Sequence, residues 1–159
     1  MKKLIFILLV IASICYLGCI KSTPTTPSCT DALPYSDSVQ LLTFADDSIK
    51  TTFDSTGIFY QILDSGNLLS MPNYYSNCRV TYIGKLMTND IFDSATNSNL
   101  GGDRIYQLIP AWQFALSKIG VGGHIRILTP STYAYGCSGF NVIPANAPLY
   151  FDITLLSIY

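Results

Sequence analysis

Residues 79–86 have the sequence RVTYIGKL, in which apolar and polar side chains largely alternate. Val80, Tyr82 and Leu86 share one side of this run, because successive side chains of a β-strand point to opposite faces. Residues 149–156, LYFDITLL, begin with the same alternation. We therefore predict two strands of a sheet that buries one of its faces.

Between these two strands, residues 109–119 have the pattern of a short helix, IPAWQFALSKI. Pro110 suits the first helical turn, where its missing N–H would have no partner. The apolar residues that then recur on one helical face are Trp112, Ala115, Leu116 and Ile119, and Gly120 follows as a stop signal. We predict that this apolar face packs against the sheet.

Two further strands are predicted at residues 58–63 and 124–128, each next to a glycine-containing turn. Several antiparallel strands with one short helix over one face make an α+β domain. Ahead of them, a short amphipathic helix is predicted from Asp37 to about Lys50. Its apolar positions at helical spacing are Val39, Leu42, Ala45 and Ile49.

The N-terminal segment has the features of an export signal. Two lysines precede an apolar run over residues 4–14, which is too short to span a bilayer, and Leu17-Gly18-Cys19 follows as a cleavage context. We predict that residues 1–18 are a lipoprotein signal peptide and that Cys19 is the lipidated first residue of the mature chain. An ordinary secretory signal, with Cys19 as a bystander, is the alternative. Residues 19–35 then form a flexible tether rich in Thr and Pro, and residues 36–56 a helical extension.

Composition excludes some functions. A formal net charge of −1 and a charged fraction of 12% provide no basic surface for nucleic acid. A single histidine, His124, and the cysteine spacing favour neither a metal site nor histidine catalysis, and we expect His124 to lie on the surface. Cys29, Cys78 and Cys137 would remain after signal removal and lipidation. One disulfide with one unpaired thiol and three unpaired cysteines are both possible.

Seven short motifs occur in a fixed order along the second half of the chain. They are VTYIGKL (80–86), FDS (92–94), IPAW (109–112), TPS (129–131), YAYG (133–136), IP (143–144) and LYFD (149–152). In this order they resemble the FK506-binding (FKBP) type of peptidyl-prolyl cis-trans isomerase. The resemblance covers residues 57–159 and implies a curved antiparallel sheet wrapped around one short helix, with a pocket between them.

The resemblance also implies the residues of a catalytic pocket. Trp112 would form its floor, Ile109 would offer a backbone N–H to the substrate, Tyr135 would offer its hydroxyl, and Asp93 would lie near the rotating carbonyl. The walls would be Tyr82, Phe92, Leu108, Ile109 and Phe151, with Ile143 at the rim. Phe140 departs from the family, because it lies at or near a position that is more polar there, and it would enlarge a hydrophobic rim. Without the motif order, core packing would be the better explanation of each of these residues, and a turn would explain Asp93.

Together these patterns predict a lipid-anchored prolyl isomerase on a bacterial membrane, facing the periplasm, that assists the folding of exported proteins. It would be a monomer without cofactor or metal, would bind proline-containing polypeptides, and could be inhibited by FK506-like macrolides. Two alternatives remain open. One is an FKBP-like chaperone or binding module with little or no catalysis, and the other is a structural envelope lipoprotein.

Overall fold

The computed structural model describes residues 37, 39–44 and 52–159 of the 159-residue chain. The predicted signal peptide, Cys19 and the tether over residues 19–35 lie outside the described residues, as does Cys29. Within the described residues, no helix is both long enough and apolar enough to cross a lipid bilayer.

The described residues contain six strands: β1 (Thr52–Phe53), β2 (Phe59–Asp64), β3 (Cys78–Leu86), β4 (Ile91–Ser98), β5 (His124–Thr129) and β6 (Leu149–Ile158). They form one antiparallel sheet in the order β1-β2-β5-β6-β3-β4. The only α-helix in the range 52–159, α1, spans Pro110–Leu116. The predicted α+β architecture is confirmed.

The alternation predicted for β3 and β6 is confirmed in detail. These strands pair along their whole length, with Val80 opposite Leu155 and Leu86 opposite Leu149. The inward side chains Val80, Leu149, Ile153 and Leu155 are fully buried. Facing apolar side chains on neighbouring strands therefore form the centre of the core.

Helix α1 covers the inner face of the sheet, and Ala111, Trp112, Ala115 and Leu116 are buried there. The α-helix ends at Leu116, because the amide of Lys118 bonds the carbonyl of Ala115 and tightens the last turn. Ile119 follows the helix and remains fully buried. Gly120 is required by a close approach, since a Cβ there would overlap the backbone of Asn67.

A second, smaller apolar cluster lies on the outer face of the sheet. It consists of Leu41, Phe59, Leu128 and Tyr150. Residues 39–44 are helical and pack there through Leu41, which is fully buried, and Phe44. Asp37 fixes this segment to the end of β5, because its carboxylate accepts hydrogen bonds from the Ser131 amide (2.8 Å) and hydroxyl (2.7 Å).

The predicted apolar face of this N-terminal helix was wrong within the described residues. Val39 is 61% exposed and Leu42 is 54% exposed, whereas Leu41 is buried. Leu41 and Phe44 are three residues apart and therefore share a face that the sheet covers. Ala45 and Ile49 lie outside the described residues.

Strand β4 was not predicted from the sequence, which there is IFDSATNS. It lies at an edge of the sheet, paired only with β3, and most of its side chains are exposed. An edge strand with most of its side chains exposed lacks the apolar alternation by which strands are recognised.

Candidate functional site

A pocket of about 240 Å³ opens between α1, the inner face of β3 and β4, and the connection after β4. Its lining consists of Tyr82, Phe92, Asp93, Leu100, Gln107, Leu108, Ile109, Trp112, Tyr135 and Phe151. All of the residues predicted for the pocket except Phe140 and Ile143 are therefore brought together. They come from β3, β4, β6, α1 with the residues before it, and the connection between β5 and β6.

Edge-to-face aromatic contacts hold Trp112 in place at the bottom of the pocket. Its ring lies 5.0 Å from that of Tyr82 and 5.7 Å from that of Phe151, at interplanar angles of 83° and 81°. Phe92 packs in the same way on Phe151, at 5.7 Å and 89°. Such contacts are favourable beyond the area they bury, so they stabilise a rigid apolar floor.

Gly84 of β3 makes room for this arrangement. It pairs with Asp93 on β4 and with Phe151 on β6. A Cβ at Gly84 would lie 2.5 Å from the ring of Phe92 and 3.2 Å from that of Phe151. The glycine is needed because two aromatic walls of the pocket meet over its backbone.

Asp93 is the one carboxylate in the lining of the pocket. It lies within β4 rather than in a turn, and it accepts a hydrogen bond of 2.7 Å from the Tyr82 hydroxyl. Burial, followed by this hydrogen bond, raises the pKa of Tyr82. Burial and the nearby charge of Asp93 also raise the pKa of Tyr135. Both phenols therefore remain protonated at neutral pH and can donate hydrogen bonds.

The residues before α1 form one wall of the pocket. Ile109 precedes the first helical residue, Pro110, and accepts hydrogen bonds from the amides of Trp112 and Gln113. The Gln113 side chain donates to the carbonyl of Leu108 (2.8 Å) and to that of Tyr106 (3.3 Å). These bonds fix the backbone of the wall against the helix.

The two remaining predicted site residues do not line the pocket. Phe140 is 58% exposed and stacks on Tyr135, with ring centroids 5.4 Å apart and an interplanar angle of 14°. Ile143 is 5% exposed and belongs to the core. A pair of backbone hydrogen bonds joins Phe140 to Ile143, so the one cannot move far without the other.

Two lining residues were missed by the sequence analysis, Leu100 and Gln107. Gln107 directly precedes the predicted Leu108 and could have been found from that position. Leu100 follows β4 in a left-handed backbone conformation, with a φ of 55°. No local sequence signal marks such a residue, because only the path of the chain after β4 brings it to the pocket.

His124, expected to be a surface residue, is partly buried in a polar cluster on the outer face of the sheet. It contacts Asp152 at 2.5 Å, and Arg126 donates to the other carboxylate oxygen at 2.8 Å. Burial opposes ionisation of Asp152, but the hydrogen bonds from His124 and Arg126 prevail and lower its pKa. Among the described residues, no group of His, Cys, Asp and Glu could hold a metal ion.

The cysteines differ in state. Cys137 is disulfide-bonded, whereas Cys78 is a free thiol in the core. Burial raises the pKa of the Cys78 thiol to about 11, so this thiol is not a nucleophile at neutral pH.

Several known proteins are similar to this chain in sequence. Residues 70–156 match the family model for FKBP-type peptidyl-prolyl cis-trans isomerase. Similar curated proteins include FKBP-type peptidyl-prolyl cis-trans isomerase FkpA of Escherichia coli, which is 34% identical over 111 residues, 69% of this chain and 40% of that protein. Another is FK506-binding protein 1 of Kluyveromyces lactis, 35% identical over 103 residues, 60% of this chain and 88% of that protein.

Solved structures agree. The crystal structure of FkpA from Escherichia coli has a TM-score of 0.66 at 31% identity and covers 79% of this chain and 59% of that chain. The crystal structure of a peptidyl-prolyl cis-trans isomerase from Pseudomonas syringae has a TM-score of 0.65 at 28% identity. It covers 81% of this chain and 98% of that chain. The alignment with the curated Escherichia coli relative spans only 40% of that protein's length. The matched segment contains the whole pocket, and the chain belongs to the FKBP-type peptidyl-prolyl cis-trans isomerase family.

Proposed function

We propose that this pocket catalyses cis-trans isomerisation of peptide bonds that precede proline. The observation that carries the proposal is a rigid aromatic pocket with a single carboxylate, Asp93, hydrogen-bonded to Tyr82. The proline ring of a substrate would lie on Trp112, among the apolar walls.

The reaction needs no nucleophile. Rotation about a peptide bond crosses a barrier of about 18–20 kcal/mol because twisting destroys amide resonance. A twisted amide is less polar than a planar one, so an apolar pocket stabilises it relative to water. Fixed donors, such as the backbone N–H of Ile109 and the protonated hydroxyl of Tyr135, would orient the rotating carbonyl groups.

Asp93 provides the sharpest test of the pocket. We expect Asp93→Asn to lower kcat/KM for a proline-containing tetrapeptide about tenfold, since hydrogen bonds to charged groups contribute about 1.5–3 kcal/mol. Asp90→Asn is the matched control, because Asp90 lies in the β3–β4 turn and its side chain bonds the nearby Thr88. The rate is measured with the full chain in mild detergent, with and without FK506. Equal activity of the Asp93→Asn and Asp90→Asn variants would exclude this role of Asp93.

A binding module that does not accelerate isomerisation is the second candidate. Phe140, exposed and stacked on Tyr135, favours it, because the ring extends an apolar rim beyond the pocket. The parent would then show no turnover, and Trp112→Ala would suppress client aggregation as well as the parent does. Acceleration of the peptide reaction by the parent would reject this candidate.

We also propose that the domain acts on exported polypeptides from a lipid anchor at Cys19. The signal-like N-terminus and the disulfide at Cys137 support this setting. Mass spectrometry of the membrane-associated protein should find acyl chains on Cys19 and none in a Cys19→Ser variant. An unmodified Cys19 in membrane fractions would contradict the anchor.

A further inference from the structure

Three tyrosines form an exposed cluster, one of which directly precedes a lining residue of the pocket in the chain. Tyr74 and Tyr75 lie on the β2–β3 connection (residues 65–77), and Tyr106 lies between β4 and α1. Their ring centroids are 5.7 Å (Tyr74–Tyr75), 5.6 Å (Tyr74–Tyr106) and 5.9 Å (Tyr75–Tyr106) apart. The three residues, here called the tyrosine cluster, are 54%, 68% and 39% exposed, respectively.

Backbone hydrogen bonds attach the tyrosine cluster to a wall of the pocket. The amide of Tyr106 bonds the carbonyl of Tyr74 at 3.1 Å, and the amide of Ile105 bonds that of Ser76 at 3.1 Å. Tyr106 is followed directly by Gln107, which lines the pocket. The backbone that carries the cluster is therefore fixed to the segment that supplies this wall of the pocket.

So much exposed aromatic surface in one place is unusual for a surface without a partner. Tyrosine is enriched at binding sites, because its ring contributes a large apolar area at a low cost in conformational entropy and its hydroxyl can form hydrogen bonds. Leu69 and Met71, on the same connection, are also exposed, at 98% and 39%.

We propose that a polypeptide bound in the pocket extends across the tyrosine cluster, which binds apolar or aromatic residues flanking the target proline. This inference rests on the proposed function, because it assigns a specificity subsite to the same site. An extended chain advances about 3.3 Å per residue, so residues a few positions from the proline reach the cluster. Continuity with the pocket makes polypeptide the natural occupant.

The geometry of the rings agrees with this occupant. Their interplanar angles are 85°, 34° and 64°, so no two rings form the flat platform on which a sugar ring stacks. The neighbouring charges, Asp103 and Arg104, have opposite signs and create no net field for a polyanion.

The test compares two twelve-residue peptides with one central proline. One carries phenylalanines three and four residues from the proline on either side, and the other carries alanines there. With the full chain in mild detergent, we expect a KM about tenfold lower for the phenylalanine peptide. In the Tyr74→Ser/Tyr75→Ser double variant this preference should disappear, while kcat/KM for a proline tetrapeptide stays within twofold of the parent.

Leu63→Ser is the matched control, because it removes an exposed apolar side chain (43% exposed) at the end of β2. It should keep the preference. Equal KM values for the two peptides with the parent chain would overturn the inference, even if the double variant failed to fold. A preference that survives in a folded double variant would overturn it as well.

Binding measurements separate this inference from the proposed function. If no peptide is isomerised, the proposed function fails. Binding of the two peptides, each carrying a fluorescent label and followed by fluorescence anisotropy, then tests the cluster alone. Tighter binding of the phenylalanine peptide by the parent, lost in the double variant, would support the cluster. Equal binding of both peptides, or saturable binding of chitotriose that the double variant loses, would overturn the inference.

Discussion

At the scale of single residues, the pocket depends on a few side chains whose positions are fixed by the residues packed around them. Trp112 is held between Tyr82 and Phe151, and Phe92 is held over Gly84. Asp93 is the polar exception, and its partner Tyr82 stays protonated because burial raises its pKa. The proposed chemistry would therefore depend on shape and fixed donors more than on ionisation.

Gly84→Ala should lower the proposed isomerase activity while leaving the chain folded. The added Cβ would displace the ring of Phe92, which faces solvent on one side and can move outward. We expect kcat/KM for a proline tetrapeptide to fall at least about fivefold and the free energy of unfolding to fall by about 1–3 kcal/mol, as for other overpacked sites. Gly101→Ala is a control, since a Cβ there meets no atom within 4 Å, although its positive φ adds some strain. Unchanged activity in folded Gly84→Ala would contradict this account of the wall.

Asp152→Asn should make stability less dependent on pH. The pKa of Asp152 is lowered from 3.8 in the folded state, so its charge stabilises the fold above that pH, and the contribution is lost as pH falls through the lower folded value. We expect the variant to be about 1–3 kcal/mol less stable at pH 7, with a difference that narrows below pH 3.8. Urea unfolding across this range measures it. A difference that stays constant with pH would refute the assignment to the ionised carboxylate.

At the scale of elements, the N-terminal helical residues 39–44 and α1 lie on opposite faces of the sheet. α1 covers the inner face and carries the pocket floor, whereas Leu41 covers Phe59, Leu128 and Tyr150 on the outer face. Stability and activity should therefore respond separately to changes on the two faces.

Leu41→Ala should destabilise the protein without changing the pocket. Leu41 is fully buried, and Leu→Ala substitutions in cores typically cost about 2–5 kcal/mol. Leu42→Ala, on the same helical segment but 54% exposed, should change stability by less than about 0.5 kcal/mol. Thermal unfolding and tetrapeptide kinetics at 15 °C are the measurements. Equal stability of the two variants would show that Leu41 is not packed against the sheet.

At the scale of the whole molecule, one core connects the pocket to every central strand. Residues from α1, β3, β5 and β6 share a single buried cluster that includes Trp112. A domain of this size with one main core usually unfolds in one cooperative step.

The fluorescence of Trp112, the only tryptophan in the chain, should therefore report global unfolding. We expect its urea transition to coincide with that of the far-ultraviolet circular dichroism signal, because the pocket floor cannot be lost while the sheet remains. An earlier fluorescence transition would show that α1 and the pocket unfold as a separate unit.

The sequence by itself determined the central strands, the helix and the order of the motifs. The alternation around Val80 and Leu149 identifies one face of each strand, and the spacing of Trp112 and Leu116 identifies one face of the helix. These faces can be read from the sequence because side chains recur with a fixed period on each side of a strand or helix, and an apolar face must be covered by another element. Most of the pocket followed from the motif order. These are properties that a few consecutive residues encode.

Only the tertiary structure decided the rest. β4 is a polar edge strand, Leu100 reaches the pocket in a left-handed conformation of its own, and Leu41 rather than Leu42 faces the sheet. In each case the deciding neighbours are far away in the sequence. Local periodicity shows that a side chain could be buried, but the elements packed against it determine whether it is.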